Sequence, residues 1–389
     1  VIQIITKRGR LGANQFVQTL SYEYNDIDPN FTPLPAYLRC TQALVDIANS
    51  LCGGRSVNDV VTDSPLERNK VFTNGSLQSL SYSARGGGDN YGYYVSLATD
   101  DEQGTLPNNA MERRSVRTNF NFTPNPRLSI DAGFGLTNNR VDLPMNDNNV
   151  YGYLGVAYLG NPSSTRIQSD GTVTGGTYAN RPFEAIRAIE SVSRNLRVNP
   201  TIQVNYLPTT WFSNRLTIGG DFTRTNSSQY FPINSLNWYQ GEANTGDLEE
   251  IRVNNDVLTL DYLGTISNEL TESIGSKLSF GAQVNSERYD RVTGTGLGFV
   301  TTGNRVVGDA AQISASQGYS DTRRIGILGQ WDLSFNDRIY LQLGARVDQN
   351  SSFGENADAF FLPKVGVSYV ISEERFWDGI ASAVPSLRL

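Results

Sequence analysis

The chain has no histidine, two methionines, two cysteines and four lysines in 389 residues. Without histidine there is no imidazole to hold zinc and no imidazole base for a nucleophilic triad. No run approaches the ~18 consecutive apolar residues that a membrane helix requires, so helical membrane proteins are excluded. The scarcity of lysine is not a scarcity of cations, because arginine supplies the other 28 of the 32 basic residues. Acidic residues number 39, for a net charge of -7, and no long basic run is present. That balance argues against a nucleic-acid partner. Cys40 and Cys52, twelve residues apart without further sulfur or imidazole ligands, make a poor zinc site. They are either two unrelated buried thiols or a local disulfide stapling a loop. The disulfide is the preferred reading, and it requires an oxidising compartment.

What is abundant is aromatic and small: 19 Tyr, 17 Phe and 37 Gly, in a chain only 38% hydrophobic. The dominant pattern has period two. Leu128, Ile130, Ala132, Phe134 and Leu136 alternate with Ser129, Asp131, Gly133, Gly135 and Thr137. Ile339, Leu341, Leu343, Ala345 and Val347 alternate with Tyr340, Gln342, Gly344, Arg346 and Asp348, and Leu278 to Asn285 repeats the pattern. Weaker versions near 14–24, 77–85, 91–100, 113–122, 198–206, 212–224, 253–266, 323–335 and 363–371 bring the count to twelve strands. The connections between them alternate strictly in length. Long gaps at 25–74, 139–192, 225–250 and 287–320 and medium ones at 101–112 and 349–361 are separated by short turns. An up-and-down barrel that crosses a membrane produces this rhythm, because odd and even connections emerge on opposite sides. The fold class expected is therefore all-β, a transmembrane antiparallel barrel with short turns on one side and long loops on the other. Leu128, Ile130, Phe134, Ile339, Leu341, Leu343 and Val347 should face lipid. Asp131, Gln342, Arg346 and Asp348 should face the lumen. Two stretches read as helical, Ala36 to Ser50 and Phe183 to Val192. The chain starts in mid-strand, without an initiator Met or a leader pattern, and reads as a piece of a longer protein.

Several segments resemble a known family. Val1-Ile2-Gln3-Ile4-Ile5-Thr6-Lys7-Arg8-Gly9 resembles the closing strand of the plug domain in TonB-dependent outer-membrane transporters. Arg346-Val347-Asp348-Gln349-Asn350-Ser351-Ser352-Phe353-Gly354, followed by Pro363-Lys364-Val365-Gly366-Val367-Ser368-Tyr369, is similar to a block of the SusC/RagA-like branch. Tyr93 to Leu97 with Asp101 to Gly104, and Tyr206-Leu207-Pro208 with Trp211-Phe212, also look like family segments. The resemblance implies that 1–9 is the last plug strand and 10–389 the N-terminal part of a barrel of about 22 strands. It also implies a Gram-negative type outer-membrane location and active import of a large nutrient, an oligosaccharide or a peptide. A SusD-like surface lipoprotein would capture the substrate, and TonB would pull on the plug through a segment upstream of this chain. Lipid or lipopolysaccharide of the outer membrane would surround the barrel. No enzymatic activity, catalytic residue, metal or cofactor is implied. A passive porin, or a surface adhesin built on a membrane barrel, is the alternative.

The residues offer few sharp sites. Tyr230, Phe231, Trp238 and Tyr239 lie in a long connection and could form a stacking platform for sugar or peptide; loop-to-loop packing is the competing reading. The acidic runs Asp100-Asp101-Glu102 and Asp247-Glu249-Glu250 lack a calcium-loop spacing and read as solvated faces. Gly294-x-Gly296-x-Gly298 is followed by no strand–helix unit and reads as a flexible loop. Arg346 and Asp348 share the polar face with Gln342 and read as a lumenal ion pair that helps seat the plug, or as plain structural pairing.

Overall fold

The computed structural model describes residues 15–26, 35–145, 149–354, 358–377, 379 and 384–389. Residues 1–9, expected to close a plug, lie outside that set. Twelve strands form one antiparallel sheet: β1 Gln15–Asn25, β2 Gly75–Gly87, β3 Tyr91–Gln103, β4 Ala110–Asn125, β5 Leu128–Asp142, β6 Glu190–Tyr206, β7 Phe212–Phe231, β8 Asp247–Thr271, β9 Ile274–Leu297, β10 Gln312–Phe335, β11 Ile339–Asn350 and β12 Phe360–Tyr369. Each pairs only with its neighbours in sequence. Successive antiparallel neighbours alternate direction, so the 26–74, 143–189, 232–246 and 298–311 connections all leave the same edge of the sheet. The turns at 88–90, 126–127, 207–211, 272–273 and 336–338 leave the other.

The register sorts side chains into two faces. Ile218, Leu260, Val284 and Ile325 stand opposite one another across β7 to β10, and all four are exposed. One residue away, Thr217, Asp261, Gln283, Gly326 and Asp348 form the matching row on the other face. A cavity of about 320 Å³ touches Gln203, Thr217, Asp261, Gln283, Leu328 and Arg346 on six successive strands. Only a concave surface can bring six strands to one cavity, so the polar face is the inside of the curve and the apolar face the outside. Leu128, Ile130, Phe134, Ile339, Leu341, Leu343 and Val347 share the outer face; Asp131, Gln342, Arg346 and Asp348 share the inner one. Each large outward side chain contributes on the order of 1.5–3 kcal/mol when it moves from water to an apolar medium. No helix among the described residues is long and apolar enough to cross a membrane.

Several strands are longer than the alternation suggests. β8 has 25 residues, β9 and β10 have 24 each, whereas 9–11 tilted residues cross a bilayer. Most of the surplus in β9 and β10 lies on the long-loop side. There Gly294 and Gly296, expected in a flexible loop, are strand residues. A Cβ on Gly296 would press on Ala310 and Phe299, and one on Gly294 would meet Val307. These glycines let the 298–311 connection lie close against the strand.

The conventional hydrophobic core lies among the long connections. Leu66 and Val71 pack with Tyr153, Val156, Ala157, Phe183 and Ile186. Ala185 and Ile189 pack with Phe231 and Tyr239, and Tyr230 and Leu248 pack with Phe299. The four long connections therefore build one cap on one edge of the wall. The helix expected over Ala36–Ser50 is a single turn, Gln42–Val45, without a side-chain cap, preceded by the strand Ala36–Arg39. That strand pairs with Val60–Asp63, and a disulfide joins Cys40 to Cys52, so the chain returns on itself before a helix can extend. The second helix is confined to Phe183–Arg187, because Glu190 already joins β6.

The buried Cys40–Cys52 bond closes a loop with a sequence separation of twelve, worth ~3 kcal/mol in chain entropy. Replacing both cysteines by serine should leave the sheet assembled and expose 41–59 to protease. Digestion of intact cells checks this; an uncut segment in the double variant would contradict it.

Candidate functional site

The inner wall is the first candidate site. Arg346 donates from Nε to both carboxylate oxygens of Asp348, at 2.8 Å each, and from Nη2 to Gln283 Oε1 at 3.1 Å. Gln283 lies two strands away, so the guanidinium must cross β10. It crosses at Gly326, where a Cβ would overlap both the Arg346 guanidinium and the Asp348 carboxylate. Lower on the wall, Asp332 accepts from Gln342 Nε2 at 2.6 Å and from Gln330 Nε2 at 2.9 Å. Arg197 pairs with Asp221 on the same face. Charge-assisted pairs of this kind hold long side chains in fixed geometry against water. They leave unused oxygens and N–H groups directed into the lumen, where a second surface can bind them. Leu263 and Leu328 interrupt the polar face beside Gly281, which gives that surface an apolar spot.

Gly326→Val should displace Arg346 from Gln283 while the apolar outer face is untouched. The variant should assemble at normal level and unfold at a lower temperature in detergent, because Arg346 loses its Gln283 partner. An unchanged unfolding temperature would show that the arginine's placement does not matter.

The loop cap is the second candidate. Phe231 and Tyr239 are buried in one cluster, against which Trp238 packs, whereas Tyr230 is buried in a separate one with Leu248 and Phe299. Phe231 and Tyr239 meet edge to face at 5.3 Å, and Tyr151 contacts both. The Tyr239 hydroxyl donates to the Ala185 carbonyl at 3.0 Å, and burial pushes its pKa up to about 12. The rings of Tyr230, Phe231 and Tyr239 are covered and Trp238 is half-buried, so these four residues do not form one open platform. The reason is local: the 143–189 connection supplies Tyr151 and Ile189 as partners, which the spacing within 225–250 does not reveal.

Two features of the cap carry no sequence signature. Arg181 is almost wholly buried and donates to the carbonyls of Trp238 and Val150, with its guanidinium 4.4 Å from the Tyr151 ring centroid. Burial pulls its pKa below the usual arginine range. It ties the 143–189 and 232–246 connections together through backbone acceptors, which no motif encodes. Asp63, also buried, faces Arg68 at 3.4 Å and accepts from the Thr165 hydroxyl. Arg68 in turn donates to the Gly175 carbonyl at 3.0 Å. This cluster joins the 26–74 and 143–189 connections. Asp100, expected on a solvated face, is likewise buried against Arg113 at 2.9 Å and the Ser79 hydroxyl. Register places these partners on adjacent strands, beyond the reach of local sequence.

Residues 146–382 match the family described as TonB dependent receptor-like, beta-barrel. The chain is 24% identical, over 77% of its length, to TonB-dependent receptor P26 of Formosa agariphila, and 22% identical, over 97% of its length, to TonB-dependent receptor P3 of the same organism. It spans 30% and 38% of the length of those two receptors. Its fold is similar to that of the RagAB peptide importer in its 'open-open' state, with a TM-score of 0.73 and 17% identity, covering 96% of this chain and 46% of that one.

Proposed function

The chain belongs to the TonB-dependent receptor-like β-barrel family, and from that premise we propose that it forms part of an outer-membrane importer for a large nutrient, a peptide or an oligosaccharide. Family members are outer-membrane transport receptors rather than enzymes, so the chemistry required is binding and release. In this reading residues 10–389 are barrel wall and 1–9 the last strand of a plug seated against it. The observation that supports it best is the inner wall itself. Asp348, Arg346 and Gln283 are fixed by one another and Asp332 by Gln342 and Gln330, yet they keep hydrogen-bonding capacity free toward the lumen. That is the surface a removable plug needs: polar enough to stay wet when the plug moves, ordered enough to receive it again. The cap of long connections stands on the external side, where a SusD-like lipoprotein would deliver substrate. TonB would act on the plug through a segment upstream of this chain.

Uptake by the full-length protein tests the reading. Cells expressing it should accumulate labelled peptide or oligosaccharide, and deletion of TonB should abolish accumulation while leaving the barrel in the membrane. Equal uptake in cells lacking TonB would identify a passive pore. Absence of uptake of any solute would favour an adhesin.

A further inference from the structure

The outer face of the wall carries a charged tier that lipid contact does not explain. Beyond the apolar band, toward the long connections, five successive strands each turn one arginine outward: Arg114 on β4, Arg140 on β5, Arg194 on β6, Arg224 on β7 and Arg252 on β8. Their faces follow from the register with Thr118–Phe134, Val198–Phe222 and Ile218–Leu260. Three of them share one row. Arg140 stands directly opposite Arg194, Arg194 opposite Asn226, and Asn226 opposite Arg252. All four side chains of that row are exposed. Like charges placed directly opposite on a sheet destabilise it, so the Arg140–Arg194 pair creates a demand for an anion.

The carboxylates on this face only partly meet that demand. Glu112 lies 4.0 Å from Arg114, Asp142 takes Arg140 at 2.9 Å, and Asp256 engages Arg224. Glu250 lies two residues beyond Arg252. Among the described residues no carboxylate pairs with Arg194 or Arg252. The row also has a roof and a floor. Above it the 298–311 connection folds over the same face. There Val307 lies against Gly294, and Arg305 stacks 4.0 Å from the Tyr230 ring centroid and binds Glu190. Below it the face is first mixed, with Leu196 next to Arg194 and the Arg224–Asp256 pair beside it, and then apolar through Val198, Phe222 and Leu258; Leu196 and Leu258 are exposed.

We propose that this slot binds the phosphate groups of phosphorylated lipids in the outer leaflet, with Arg194 and Arg252 forking onto phosphate oxygens and the acyl chains lying on Leu196, Phe222 and Leu258. The inference rests on the barrel reading above, which sets the long connections outside. Arginine suits the task better than lysine because its planar fork matches phosphate oxygens in pairs. A cationic row followed, within a few residues on the same face, by an apolar floor matches an amphiphile and not a free anion, which would need no such floor.

The test uses the full-length protein extracted from outer membranes and titrated with lipid A by native mass spectrometry. The wild type should bind lipid A carrying both phosphates, and the Arg194→Gln/Arg252→Gln double variant should bind it at least tenfold more weakly. Each single variant should lose at least threefold, which preserves the test if the double variant assembles poorly. Arg291→Gln, on the opposite face of β9, should bind as the wild type does. Equal binding by wild type and double variant, equal binding of dephosphorylated lipid A, or full displacement by inorganic phosphate at equal concentration would overturn the proposal. Absence of the wild-type protein from the outer-membrane fraction would instead overturn the barrel reading, so the two failures are distinguishable.

Discussion

Leu260→Arg should cut the amount of protein assembled in the outer membrane at least tenfold, whereas Thr259→Arg, one residue away, should assemble normally. Leu260 lies near the middle of β8, exposed on the outer face between Ile218 and Val284. An arginine there would stand at bilayer depth with paired strands on both sides and no route to water. The cost on a barrel's lipid face is ~2–4 kcal/mol near the midplane. Thr259 points to the lumen, opposite Gly219 and Asn285, where its Oγ1 accepts from Asn285 Nδ2 at 3.2 Å. An arginine at 259 loses that bond, but its charge remains hydrated. The pair therefore separates polarity from position. Membrane fractionation and resistance of the barrel to unfolding in detergent give the readout. Equal assembly of both variants would mean that the outer face does not meet lipid.

Phe183→Ala should open the loop cap and leave the membrane wall intact. Phe183 is almost wholly buried and stacks on Tyr153 with ring centroids 6.1 Å apart and planes 9° from parallel. The same cluster includes Leu66 and Val71 from the first long connection and Val156 and Ile186 from the second. Burial in it pushes the Tyr153 pKa up to about 12. Removing a buried phenyl ring costs ~3–5 kcal/mol, a large share of what a small cap can hold. External protease should then cleave within 149–189 at least a hundredfold faster, with no change in the amount of barrel present. A cap that stays uncut would show that the disulfide and the Asp63–Arg68–Thr165 cluster hold it without the apolar cluster.

The membrane wall was legible because lipid on one side and water on the other write a period of two into every crossing. Leu128 to Thr137 and Ile339 to Asp348 alternate without a break, and the structure places them accordingly. Legibility ends where the lipid ends. Residues 286–297 of β9 continue the ladder through Ser286, Glu287, Arg288, Asp290 and Arg291, polar on both faces, because neither face meets hydrocarbon there. The alternation stops although the hydrogen bonds do not. The cap is hidden for a different reason. Tyr239, Phe231 and Ile189 form one cluster from two connections, and Arg181 reaches Trp238 across 57 positions of sequence. Such contacts depend on which loops the sheet brings together, and only the register determines that. The arginine row is visible for the same reason only after pairing is known: Arg140, Arg194 and Arg252 are unremarkable apart and fall in one row, with Asn226 between the last two, once β5 to β8 are in register.

A pair of single cysteines tests directly whether the wall crosses the membrane with the long connections on one side and the short turns on the other. Ser235 lies in a long connection and Thr210 in a short turn, both exposed. Ser235→Cys and Thr210→Cys would each be treated on intact cells with a maleimide too polar to cross the outer membrane. Ser235→Cys alone should be labelled, with Thr210→Cys labelled only after the cells are opened. Labelling of both on intact cells, or of Thr210→Cys alone, would contradict a wall that crosses the membrane between them.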